Sequence, residues 1–348
     1  MNSIISELTD RIRKAAAERK PLRIRGSGSK DFFAHKLEGD VLDVSAYRGV
    51  IDYEPSELVM TARAGTPLRE IESALAKGSQ MLACEPPYFG PDATLGGCVA
   101  SGFSGPRRAA SGSVRDFVLG TRVIDAQGVD LRFGGQVMKN VAGFDVSRLM
   151  AGSFGTLGLI LEVSLKVLPR YEEEQTLRFE MTQAKAIETM NRWAAQPLPV
   201  SATCHIEGAL HVRLSGSART VAATRAALGG AVLENAGDFW SRVREHRSPA
   251  FQGKLWRCSV RSTTPPLPLP GEQTVEWNGS LRWIASEAPD DEVHEAARKA
   301  GGHATLFRGS SGGPIMRLDA GVLALNRRIK AALDPDGIFG PHRLHAEF

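Results

Sequence analysis

Pro91-Asp-Ala-Thr-Leu-Gly-Gly-Cys-Val-Ala-Ser-Gly-Phe-Ser-Gly105 carries four glycines among small side chains, too many for an ordinary helix or strand. Working outward, Lys139-Asn-Val-Ala-Gly-Phe-Asp145 and Gly152-Ser-Phe-Gly-Thr-Leu-Gly-Leu-Ile160 follow downstream, and Arg25-Gly-Ser-Gly-Ser-Lys30 lies upstream. Residues 90–158 hold 14 glycines in 69 positions, about twice the density of the whole chain, with 36 in 348. Glycine costs conformational entropy, so such density points to backbone that something large approaches closely. A phosphate-bearing cofactor laid along several loops accounts for all four. Gly26-Ser-Gly28 lacks the third glycine and the following helix of a dinucleotide fingerprint. Ser27, Ser29 and Lys30 can still complete an anion-binding nest of backbone N–H groups.

The chain has 348 residues, enough for two domains with real cores. No segment approaches the ~20 apolar residues of a membrane span. The N-terminus reads as an amphipathic helix with Ile5, Leu8 and Ile12 on one face, not as a signal peptide, so a cytoplasmic location is expected. Cys84, Cys98, Cys204 and Cys258 show no CxxC spacing, which argues against zinc knuckles, iron–sulfur clusters and disulfides. With a net charge of +4 and dispersed arginines, nucleic-acid binding is not expected.

Strands are expected at 22–25, 41–44 and 58–62, then a helix through Lys77 capped by Thr66, begun by Pro67 and stopped by Gly78. Residues 80–112 read as loop with one small-residue helix near 96–101. Residues 114–125 and 129–133 read as a hairpin, and 157–168 as a long strand. After Arg170 the pattern becomes β-α-β-β-α (177–181, 183–196, 200–207, 211–215, 218–229). A second such unit is suggested by 254–261, 274–284, helix 290–300 and 304–308. The proline-rich Thr263–Gly271 reads as an exposed loop, and 319–333 as a final helix.

The order and spacing of the four glycine loops resemble the PCMH-type FAD-binding family, also called the vanillyl-alcohol oxidase type. The resemblance implies an α+β fold: a FAD domain of two α+β subdomains (1–170), an α+β, ferredoxin-like cap (171–325), and a C-terminal helix and tail (326–348) returning towards the FAD domain. It implies FAD contacts at Arg25, Gly26, Ser27, Gly28, Ser29 and Lys30 in the first loop. In the second they fall at Pro91, Asp92, Ala93, Thr94, Leu95, Gly96, Gly97, Ala100, Ser101, Ser104 and Gly105, with Gly112 and Val114 beyond. Downstream they fall at Lys139, Gly143, Gly155, Gly158 and Ile160. No histidine stands at the family's usual covalent attachment position, where Ser29-Lys30 is found, so a noncovalent flavin is expected. The tail Asp334-Pro-Asp-Gly-Ile-Phe-Gly-Pro-His-Arg343 departs from the family pattern at Gly340 and His342.

Within that family, Lys139–Asp145, Leu255–Val260, Glu276–Trp283 and Gly302–Arg308 resemble the smaller FAD-binding subunits of glycolate oxidases, the E subunits. That resemblance implies a larger FAD-binding subunit and an iron–sulfur subunit as partners. It also implies a small 2-hydroxy acid as substrate, and membrane association only through the complex. The alternatives are a self-sufficient FAD-dependent 2-hydroxyacid dehydrogenase and a noncatalytic FAD-holding subunit. Arg257 and Arg213 are the candidate carboxylate-binding cations, and His205 and His211 the candidate bases. His205-Ile-Glu-Gly-Ala-Leu-His211 is similar to the metal element of larger 2-hydroxyacid dehydrogenases. It is one residue shorter and lacks their Asp and Asn, so no metal is expected. Trp240, Trp256, Trp277 and Trp283 are expected in the cap core or at an interface.

Overall fold

Helix α1 (Asn2–Glu18) turns one apolar stripe inward: Leu8, Ile12 and Ala15 are buried, and Ile5 packs beside them. Burying a leucine or isoleucine contributes roughly 1.5–3 kcal/mol, so packing rather than propensity holds α1. The computed structural model describes residues 2–135, 145–309 and 317–348. Two units emerge: Met1–Phe103, Ser113–Pro169 and Leu318–Phe348 form the first, and Ser104–Gly112 with Arg170–Arg317 the second. The sequence reading broke the chain at 170 and 325 instead, and left residues 104–112 in the first part.

In the first unit, β1 (Leu22–Arg25) pairs in parallel with β2 (Asp40–Asp43). Next along the chain come β3 (Val50–Glu54), β4 (Val59–Arg63), α2 (Leu68–Lys77), the short β5 (Gln80–Met81) and α3 (Leu95–Ser101). After α4 (Arg108–Ser111), which belongs to the second unit, come α5 (Val114–Phe117), β6 (Val118–Ile124) and β7 (Asp130–Gly134). The stretch closes with α6 (Val146–Leu149), β8 (Leu159–Lys166) and β9 (Leu168–Pro169). An antiparallel sheet runs β3-β4-β8-β6-β7. Its central strand β8 is covered on both faces: Leu159 and Leu161 join the core under α1, and Ile160, Val163 and Leu165 the core of α2 and α3.

Two local expectations change here. Thr66 does not cap α2: its hydroxyl accepts the Gly49 N–H at 2.8 Å, and Pro67 takes the N-cap position. Residues 114–117 form a helical turn, closed by the Ser113–Asp116 capping box, before the hairpin strand begins at Val118.

The second unit holds β10 (Glu173–Glu180), α7 (Gln183–Ala194), β11 (Val200–Ile206), β12 (Ala209–Gly216), α8 (Ala218–Leu228) and β13 (Ala231–Val232). Then come α9 (Ala236–Arg244), β14 (Leu255–Ser259), β15 (Glu272–Glu276), β16 (Leu281–Ala285), α10 (Asp290–Lys299) and β17 (His303–Arg308). One antiparallel sheet runs β13-β10-β12-β11-β15-β16-β14-β17. Each half has the ferredoxin-like order, and the halves meet edge to edge at β11 and β15. In the second half the first crossover helix is missing. Thr263–Gly271 takes its place, where four prolines forbid a helix and Leu267 and Leu269 are buried against Trp256 and Ile284. The stretch is exposed as expected, apart from those two leucines, which anchor it to the sheet. The stretch 274–284 holds two strands, β15 and β16, split by a turn with Asn278 at φ 55°. Helix α11 (Ala320–Leu333) returns to the first unit.

Candidate cofactor-binding site

A pocket in the first unit opens between three of the glycine loops. The loop after β1 lines it with Arg25, Gly26, Ser27, Gly28, Ser29 and Lys30, and the start of α3 with Thr94, Gly96, Gly97, Ala100 and Ser101. Gly155, Gly158 and Ile160 line it from the approach to β8. Apolar wall comes from Ile24, Val44, Ala64 and Phe154, and charge from Asp31 and Arg343. None of these six was among the expected FAD contacts. Ala93 and Leu95 face the core instead, Asp92 is exposed and pairs with Arg69 at 2.9 Å, and Pro91 does not line the pocket. Val114 is core. Ser104, Gly105 and Gly112 lie with the second unit, where Gly105 O accepts the Trp277 indole N–H at 3.0 Å. Lys139 and Gly143 lie outside the described residues.

The glycines divide by cause. A Cβ on Gly26 would overlap the Thr94 hydroxyl, and one on Gly96 would come within 2.7 Å of the Ala64 Cβ. These two let the loops approach each other, not a ligand. A Cβ on Gly97 would meet only the Thr94 hydroxyl, at 3.1 Å, and otherwise project into space. Thr94 caps α3 by accepting the Gly97 N–H at 3.2 Å. The ligand-approach reading of glycine density therefore fits Gly97 better than Gly96.

Aromatic packing ties the loops together. The Phe33 ring stacks on Phe154 at 5.0 Å and meets Phe103 edge-on at 5.2 Å, and Phe103 meets Phe154 at 5.5 Å. Such pairs contribute about 0.5–1.5 kcal/mol each beyond their burial. The Lys30 ammonium is buried and donates to Ser29 Oγ at 3.2 Å and Tyr88 O at 3.1 Å. Arg25 faces Asp31 at 3.7 Å.

The catalytic candidates all lie in the second unit's sheet. The register pairs Cys204 with His211 and His205 with Leu210, which sends the two imidazoles to opposite faces. His205 Nε2 sits 3.0 Å from Met181 O, and burial lowers its pKa. His211 stacks on Phe239 at 4.1 Å; burial and then Arg178 push its pKa down to about 4. Arg213 donates to Ser201 Oγ at 3.1 Å and lies over Trp240. Arg257 lies 5.3 Å from the Trp277 ring centre and Arg108 4.4 Å from it. Burial, then Arg108, pushes the Arg257 pKa down to about 10. His246 is beyond the end of α9, stacked on Phe251 at 4.5 Å. Among the described residues no three His, Cys, Asp or Glu side chains group as a metal site. Trp240, Trp256, Trp277 and Trp283 are all buried.

An α+β scaffold with loop-built, positively lined pocket and a ferredoxin-like second sheet defines a FAD-binding oxidoreductase fold. The family model described as "FAD binding domain" matches residues 4–134. The chain is 49% identical over 342 residues, 98% of its length and 97% of the relative's, to "Glycolate oxidase subunit GlcE" of Escherichia coli. It belongs to the GlcE family of PCMH-type FAD-binding glycolate oxidase subunits. It is 30% identical over 194 residues to "Glycolate oxidase subunit GlcD" of Bacillus subtilis, covering 53% of this chain and 40% of that one. Among solved structures, an alkyldihydroxyacetonephosphate synthase superposes with a TM-score of 0.67 at 15% identity, covering 97% of this chain and 74% of that one, a likeness of fold. The pocket fits FAD by its chemistry: Arg25, Lys30 and Arg343 against one carboxylate suit a diphosphate, and the apolar wall suits a flat ring system.

Proposed function

We propose that this chain is the smaller FAD-holding subunit of a glycolate oxidase. It works beside a larger FAD subunit and an iron–sulfur subunit in converting glycolate to glyoxylate, with electrons passed on towards the quinone pool. The observation that carries this reading is the near full-length identity to a glycolate oxidase subunit. A second relative that its name also assigns to glycolate oxidase supports assembly into a complex. No described helix is long and apolar enough to cross a membrane.

FAD, bound noncovalently, supplies a two-electron acceptor for the substrate's α-carbon. The first-loop residues Arg25–Lys30 would hold its phosphates by backbone N–H groups and cations, with Gly97 leaving room for close approach. Arg257, next to Arg108, is the better carboxylate partner of the two arginines proposed, because Arg213 is already held by Ser201. His211 is buried against Phe239 with its pKa pushed down to about 4, which makes it a weak base, and His205 lies on the opposite face, so neither imidazole is assigned as the base.

The test is glycolate oxidation with a dye acceptor. The chain alone should turn over far below 1 per second, and co-expression with the larger flavin subunit and the iron–sulfur subunit should restore activity. Rapid turnover by the isolated chain overturns the subunit reading. Acid denaturation of the holoprotein should release all the flavin; flavin staying with the polypeptide overturns noncovalent binding.

A further inference from the structure

We infer that Arg343, in the C-terminal tail, is a cofactor-binding residue that joins Arg25 and Lys30 in holding the diphosphate of FAD. The inference rests on the FAD reading of the pocket.

Arg343 lines the pocket yet is only 6% exposed. Its Nε is buried with no hydrogen-bond partner among the described residues, and its Nη2 reaches Asp31 only at 3.5 Å. A buried guanidinium with an open donor is costly unless an anion completes it. Burial depresses its pKa, the sign of incomplete compensation. Arg25, Lys30 and Arg343 against Asp31 leave two positive charges on the pocket wall, the complement of a diphosphate's two negative charges.

Its position is fixed before any ligand arrives. Gly340 N–H donates to Leu22 O at 2.8 Å, and Leu22 N–H to Ile338 O at 2.6 Å, so the tail lies alongside β1. The His35 N–H donates to Arg343 O at 2.7 Å, pinning the far end of the first glycine loop to the same residue. The guanidinium lies 5.7 Å from the Phe154 ring centre. A cation held this way loses little freedom on binding, so its charge acts at nearly full strength.

The experiment compares wild type, Arg343→Gln, Arg343→Lys and Asp31→Asn as full-length apoprotein, titrated with FAD by flavin fluorescence. ADP and riboflavin serve as competitors. Arg343→Gln should weaken FAD and ADP about 10- to 100-fold and leave riboflavin unchanged, because the lost contact is a charge-assisted bond to phosphate. Arg343→Lys should recover part of the loss. Asp31→Asn should tighten FAD, since it removes a competing carboxylate. Unchanged FAD affinity in Arg343→Gln overturns the inference. So does an equal loss for riboflavin, or an Asp31→Asn variant that loses as much as Arg343→Gln, since either assigns Arg343 a structural role. If Arg343→Gln does not fold, the lysine and Asp31 variants decide by the same criteria. Wild type failing to bind FAD overturns the cofactor reading itself.

Discussion

Around the first unit's pocket, polar groups sit on loops and face open space, whereas on the second unit's sheet they sit on strands and are packed away. Lys30 and Arg343 are buried as residues but border the pocket. His205, His211 and Trp240 are buried with their polar atoms turned to carbonyls, hydroxyls or nothing. Groups of the first kind are available for binding. Those of the second kind mostly set how stability varies with pH, and Arg257 and Arg108 are the exceptions worth pursuing. The difference shows why residue type alone misassigns function: the same arginine or histidine binds a ligand or stays silent according to what its backbone element faces.

The comparison breaks most readily at the knot behind the pocket. Lys330 donates to Asp334 at 2.6 Å, Thr156 O at 2.8 Å and Phe339 O at 2.6 Å, and Asp334 in turn accepts the Ile338 and Phe339 N–H groups. Lys330→Met strands a buried carboxylate and should cost about 3–5 kcal/mol of apoprotein stability in urea unfolding. Loss much below 1 kcal/mol would mean the tail is not an integral part of the first unit.

A pH series sharpens the other side. His211 has a folded-state pKa of about 4, below the ordinary 6.5 of a free imidazole. The unfolded chain therefore takes up the proton first. The stability that comes from keeping the ring neutral is complete above pH 6.5 and falls away as pH drops towards 4, by up to about 3 kcal/mol. His205 and His246 act in the same direction. His211→Leu should flatten this acid limb while leaving FAD affinity untouched. An unchanged limb would show that the imidazole is solvated.

Smaller effects separate the glycines. Gly96→Val should destabilise the apoprotein by about 1–3 kcal/mol through contact with Ala64. Gly97→Val should keep its apoprotein melting temperature and lose FAD. Gly216→Val, whose nearest neighbour is Pro199 at 3.7 Å, should do neither. If Gly97→Val binds FAD as wild type does, the pocket is not where the phosphates lie.

Much of this was legible in the sequence because it is local. Glycine runs mark the loops, alternation marks the strands, and the apolar stripe of α1 is read directly from Leu8 and Ile12. What escaped depends on distant partners. Thr66 looks like a helix cap until Gly49 claims its hydroxyl. Phe33, Phe103 and Phe154 carry no shared local pattern, yet their rings meet. Arg343 reaches a pocket begun at Arg25 only because Ile338–Gly340 pairs with Leu22. No periodicity encodes such a pairing, which is settled by the fold as a whole.

The nine residues Ser104–Gly112 have a consequence for dissection. Arg107 is clamped by Glu174 at 2.6 Å and Ser215 at 3.2 Å, and Arg108 covers Trp277, all within the second unit, although the first unit flanks the segment on both sides in the chain. Cutting the gene at residue 169 would strip Arg107 of its anion in one fragment and uncover Trp277 in the other. The two units are separate bodies of packing but not separable pieces of polypeptide. A swap of the second unit between relatives has to carry this short strap with it, or the graft leaves an orphaned guanidinium on one side and a bare indole on the other.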